Sequence, residues 1–212
     1  MRPSFVAAVC AALATSASAA AELTPAEMRW LRGTWPVVQY AKAQALPLDV
    51  VVQPQAADGA APLALGFVDG RCKLVFTLRD NPEAEAAIRR IEPDLLDTAL
   101  ELMAAHELGH CRRYLDGAWL GLPSGFSATG PAEQAIRREE AYGDLVGLAW
   151  TKQHHPQHYA RLHAWLVAER ELDHVPGSPH DTLAWVRLAD DGGTLAQRSI
   201  FSAADALWRA GL

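Results

Sequence analysis

The stretch Ala104-Ala105-His106-Glu107-Leu108-Gly109-His110-Cys111 decides how the rest of this 212-residue chain is read. Around it, Leu95, Leu96, Ala99, Leu100, Leu102, Met103 and Leu108 leave almost no polar face, so the segment reads as a helix buried on nearly all sides. On an α-helix, positions i and i+4 lie about 40° apart around the axis and roughly 6 Å apart along it. His106 and His110 therefore aim two imidazoles at one point, with Glu107 beside them. Two histidines and a glutamate in an apolar helix need compensation for lost hydration. A divalent metal supplies it, and this spacing suits Zn²⁺. The competing reading is a pair of satisfied core histidines. Under the metal reading Glu107 is not a ligand but the general base toward a zinc-bound water.

A catalytic zinc wants three protein ligands and an open fourth position. Glu139-Glu140-Ala141-Tyr142-Gly143-Asp144-Leu145 offers the third. Glu140 and Asp144 stand at i and i+4 on one helix face. Gly143 and Gly147 share roughly that face and Gly109 marks the metal helix, so the two backbones can approach closely there. Glu140 then suits a ligand, and Asp144 an acceptor for the free ring N–H of His106 or His110. Glu139 is an adjacent competitor for the ligand role. An acidic solvated face is the alternative, opposed by Leu145, Val146, Leu148 and Trp150 directly after it.

His106-Glu107-Leu108-Gly109-His110, followed about thirty residues later by Glu140 and Asp144, resembles the gluzincin branch of the zincin metallopeptidases, which includes the thermolysin-like enzymes. The likeness spans roughly 40 residues together with the order of strand, metal helix and glutamate helix. It implies zinc on His106, His110 and Glu140, Glu107 as base, and Asp144 orienting a histidine. It also implies that the edge strand before the metal helix pairs with an extended substrate, which would make residues 72–78 the peptide-binding strand. The metzincin branch is disfavoured: it would need a glycine turn at position 113, held by Arg113, before a ligand at Asp116.

No residue clearly supplies an oxyanion stabiliser. His180 is the candidate, in a Ser178-Pro179-His180-Asp181 helix start with Ser178 as N-cap; a histidine merely near a cap is the alternative, and Tyr142 a weaker candidate. Residues 117–131, with Trp119, Leu122 and Phe126, read equally as a substrate wall or an ordinary connector. His154, His155 and His158 flank Pro156 and read as a solvated turn.

Working outward, Thr24-Pro25-Ala26-Glu27 carries the signature of a capped helix start, and a second short helix is expected over residues 37–45. Residues 48–53, 62–68 and 72–78 read as strands, the last two joined by an Asp69-Gly70 hairpin turn. A small, mainly antiparallel sheet of about three strands is expected. A helix begins after Asn81-Pro82, Pro93 breaks it, and the metal helix runs from there to about Leu115, stopped by Asp116-Gly117. Amphipathic helices are expected over residues 156–172, 181–188 and 203–210, with Trp165, Trp185 and Trp208 as core anchors.

Arg2, the apolar run over residues 5–13 and Ala17-Ser18-Ala19 read as a signal peptide over residues 1–20, cleaved near Ala19 to Ala21, with a retained anchor as the minor reading. The chain is then exported, periplasmic or secreted, with no stable membrane insertion. Without Arg2, 18 basic residues face 25 acidic ones, which argues against nucleic acid as a partner. Cys72 and Cys111 remain, as a disulfide or as two free thiols. The whole reads as a leader followed by one α+β, mainly helical, zincin-like domain over residues 21–212 that hydrolyses peptides or proteins through Zn²⁺. The rival reading is a non-catalytic exported zinc-binding or interaction protein with a structural metal.

Overall fold

The computed structural model describes residues 22–54, 59–126, 132–172, 174–196 and 199–212; the expected leader lies outside them. The chain is α+β and mainly helical, with a sheet of three strands. Helix α1 (Pro25–Ala43) begins as the sequence indicates: the Thr24 side chain caps the Glu27 N–H, and the Glu27 carboxylate accepts the Thr24 N–H. It does not stop for a second helix at residue 37. Trp30, Gly33, Val37 and Ala41 form one buried face at helical spacing through Pro36, so packing outweighs the single intrahelical bond a proline forfeits. A Cβ on Gly33 would sit 2.5 Å from Leu100 Cδ1, which shows how closely α1 lies on the helix over Leu96–Leu115.

Strands β1 (Leu48–Val52), β2 (Leu63–Val68) and β3 (Arg71–Phe76) follow. Asp69 and Gly70 both take positive φ (52° and 72°), as a two-residue hairpin turn requires, and so set β2 and β3 antiparallel. β1 lies on the other flank of β3 and runs parallel to it, giving the order β1-β3-β2. The sheet is therefore mixed, not mainly antiparallel. β3 is the central strand, paired on both sides, and cannot be the strand that receives a substrate; the free edge nearest the site is that of β2.

Asn81 caps α2 (Pro82–Arg89), a 3-10 turn at Pro93–Leu95 follows, and α3 (Leu96–Leu115) carries the motif, ending at Asp116 and Gly117. Cys72 and Cys111 are joined by a disulfide, which pins β3 to α3 one residue beyond His110. Then come α4 (Ala132–His154), α5 (Tyr159–Leu172), α6 (Leu183–Leu188) and α7 (Ile200–Ala210). Trp185 and Trp208 anchor the core, whereas Trp165 is half-buried in the wall of a cavity. Among the described residues no helix is long and apolar enough to cross a membrane.

Candidate metal centre

The site is built on the crossing of α3 and α4, and three glycines set its closeness. A Cβ on Gly109 would lie 3.1 Å from Val146 Cγ2, and one on Gly147 would lie 2.8 Å from the Leu102 carbonyl oxygen. A Cβ on Gly143 would fall 2.7–2.8 Å from three atoms of the His106 imidazole, so that ring occupies the space a side chain would need. The close approach expected from the glycine spacing is present.

His106 Nε2 and His110 Nε2 are 2.9 Å apart. Glu140 adds Oε2 at 3.3 Å from His106 Nε2 and Oε1 at 3.6 Å from His110 Nε2. A tetrahedral zinc with Zn–N bonds near 2.05 Å would hold its ligand atoms about 3.3 Å from one another, and the three separations bracket that value. His106, His110 and Glu140 can thus hold a metal ion, with all ligand atoms within 4.8 Å of one another. Glu139 does not join the cluster: its Oε2 accepts from Arg113 Nε (2.7 Å) and from the Leu120 N–H (3.1 Å), and its Oε1 lies 3.5 Å from the outer nitrogen of His110, Nδ1. Of the two adjacent glutamates, Glu140 is the one that converges with the histidines.

The outer nitrogen of His106 behaves as the sequence suggests. Its Nδ1 lies 3.0 Å from Asp144 Oδ1. Asp144 is fully buried and further held by both Nε and Nη2 of Arg170 and by the Thr182 hydroxyl (2.6 Å). Burial disfavours the Asp144 anion, but Arg170 and His106 outweigh it and hold the carboxyl well below the usual range. Burial likewise opposes a charged His106, yet Asp144 and Glu140 push it up to about 10. Glu140, against its own burial, is lowered to about 2 by the histidines. Glu107 differs from these: burial raises it, only partly opposed by the two histidines and by a hydrogen bond from the Leu65 backbone. The carboxylate at the ligand position stays an anion, and the one beside it is shifted toward taking a proton.

These groups open into a cavity of about 500 Å³ walled by the β2 edge, Trp119, Trp165 and His180. Trp119 stands edge-on to His110 with ring centres 5.6 Å apart and alone of residues 117–126 lines the cavity, while Leu122 and Phe126 line other pockets; residues 127–131 lie outside the described residues. His180 reaches the rim, its Nε2 3.6 Å from Glu140 Oε2, with a side chain 68% exposed. It is not in a helix start: residues 178–181 form turns, Thr182 is the N-cap, and α6 begins at Leu183. Asp181 organises that turn, accepting from Gly177 N–H, His174 and Arg137. Tyr142 is no oxyanion candidate, since its hydroxyl donates to the Phe201 carbonyl on α7.

Asp116 pairs with Arg112 on the outer face of α3, as the missing glycine turn implied. The histidines near Pro156 keep contact with solvent but also have partners: half-buried His155 bonds Glu101 (2.8 Å), half-buried His158 meets Thr98 (3.1 Å) and exposed His154 stacks on Trp150. Sequence reasoning missed Arg113, Arg170 and Thr182. None of the three had a local signal, because each meets its partner on another helix.

No family model, curated protein or solved structure matches this chain.

Proposed function

We propose that the chain is a zinc-dependent peptidase of gluzincin type, with the metal on His106, His110 and Glu140. The carrying observation is the convergence of these three ligand atoms beside a fourth group, Glu107, that is left off the cluster and shifted toward protonation. Two imidazoles and one carboxylate suit zinc and leave a position for substrate or water. When bound, the metal supplies Lewis acidity, which acidifies a water and polarises a carbonyl. Glu107 would hold and move the proton at its carboxylate, as base toward the attacking water and then as acid toward the departing amine. Asp144 holds the His106 ring by its Nδ1, and Glu140 balances metal charge as an anion. His180, at the rim, donates to the oxyanion of the tetrahedral transition state.

The β2 edge favours an extended peptide as substrate. The Thr77 N–H to Pro62 carbonyl bond (2.9 Å) fixes the alternation of the hairpin ladder, so Leu63, Leu65 and Phe67 turn their backbone groups outward. Leu65 already meets Glu107. A peptide pairing there would bring its carbonyl groups past the base. The Cys72–Cys111 disulfide suits the exported setting that the N-terminal sequence suggests. A purely structural zinc would need a fourth protein ligand, and among the described residues none joins the cluster.

Zinc content and peptide hydrolysis, measured together on three proteins, test this reading. Wild type should hold about one zinc per chain. Glu107→Ala should keep the zinc and lose about 10²–10⁴-fold in turnover, and Glu140→Ala should lose the zinc. Undiminished hydrolysis by Glu107→Ala would refute the mechanism.

A further inference from the structure

Two of the buried side-chain atoms that have no hydrogen-bond partner face each other: His110 Nδ1 and Glu139 Oε1, 3.5 Å apart. Both side chains are almost fully enclosed, so neither atom has water as a substitute. Closing the gap by about half an ångström turns the pair into an ordinary N–H···O bond. We propose that Glu139, held by Arg113, is the positioning residue for His110: its Oε1 accepts the Nδ1–H of that ring and commits Nε2 to the metal. The proposal rests on the metal reading above.

Glu139 is fixed for this task from its other end. Arg113 donates Nε to Glu139 Oε2 at 2.7 Å and, through Nη2, holds the carbonyls of Ala118 and Gly121, each at 2.7 Å. Its guanidinium lies over the Trp208 ring, 4.3 Å from the centre. The Leu120 N–H completes Oε2. Oε2 is therefore saturated by donors, which leaves Oε1 for the imidazole. Because the ring nitrogen that does not bind metal must carry the proton, an acceptor facing Nδ1 selects the tautomer that metal binding through Nε2 requires. The same carboxylate ties the turn that carries Trp119 to the ligand beneath it.

Glu139→Gln separates this role from simple packing. The side-chain shape is kept, and the amide oxygen must stay with Arg113 and the Leu120 N–H, because the reverse flip sets NH₂ against two donors. The amide NH₂ then faces His110 Nδ1 and favours the opposite tautomer. The experiment is titration with Zn²⁺ against a competing chelator, with long-range ¹H–¹⁵N correlation of the histidine rings in the zinc-loaded and metal-free protein. Zinc-loaded wild type should show a slowly exchanging proton on His110 Nδ1. Folded Glu139→Gln should bind zinc about 10–100-fold more weakly and, metal-free, carry the His110 proton on Nε2. Wild-type affinity and tautomer in that variant, with wild type holding one zinc, would overturn the role of Glu139 alone. A folded wild type that takes up no zinc overturns the metal reading and this proposal together. If the variant does not fold, the wild-type spectrum decides: a His110 without a proton on Nδ1 refutes the proposal.

Discussion

The two histidines of the motif sit one helical turn apart, yet their surroundings differ in kind. His106 is backed by Asp144, which is held by Arg170 from α5 and by Thr182 from the cap of α6, so its position is set by the packing of helices. His110 is backed by Glu139, whose partners are Arg113 on the same helix and a surface turn ending in the cavity wall. The Asp144 contact to its ring is closed at 3.0 Å, whereas the Glu139 contact stands at 3.5 Å. One candidate ligand is thus anchored to the core and the other to the cavity wall. A displacement of the Trp119 turn would be felt at His110, through Glu139, before it is felt at His106.

The comparison breaks most readily at Asp144. Asp144→Ala leaves a largely enclosed Arg170 without its main anion and should cost about 3–5 kcal/mol, read as a lower urea midpoint. In chelator-treated protein the effect has a pH signature. A histidine raised to about 10 by its carboxylate neighbours contributes stability fully below its unfolded value of 6.5, and that contribution is lost as pH climbs through 10. The gap between wild type and Asp144→Ala should therefore narrow from pH 7 to 10; a constant gap would mean that Asp144 acts through Arg170 alone. Removing the disulfide, which closes a span of 39 residues beside His110, should cost about 2–4 kcal/mol by Cys72→Ser with Cys111→Ser, measured by thermal unfolding. Gly143→Ala pushes a methyl group into the His106 ring and should cost about 1–3 kcal/mol while weakening zinc binding, checked by chelator competition. Trp119→Ala is expected to cost at most about 1 kcal/mol and to change peptide KM more than zinc affinity. A loss of zinc equal to that in Gly143→Ala would show that the wall governs both ligands.

The core-anchored half was the more legible in the sequence. His106, Glu140, Asp144 and the three glycines lie on two helices whose spacing is local, and periodicity reports local geometry faithfully. The Thr24 cap, the helix start near Asn81-Pro82 and the Asp69-Gly70 turn were readable for the same reason. What failed depended on contacts distant in sequence. Which strand is central follows from β1 docking beside β3, a pairing that no stretch of residues announces. Arg113 and Arg170 look like solvated helix charges until their acids arrive from another helix. His180 was placed in a helix because Ser-Pro before it resembles a cap, but Asp181 gathers three donors into a turn that keeps the backbone from entering α6 until Leu183. The expected second helix over residues 37–45 failed in the opposite direction, because one continuous buried face carries α1 through Pro36.

Gly143 also bears on transplanting such a site. The ring of His106 rests where a Cβ would be, so its place is defined by an atom that the neighbouring helix lacks. Grafting His-Glu-x-x-His onto some other buried helix would copy the donors without the vacancy that seats them. A designer starting from an arbitrary helical pair would do better to choose the bare backbone position first and to write the histidine opposite it second.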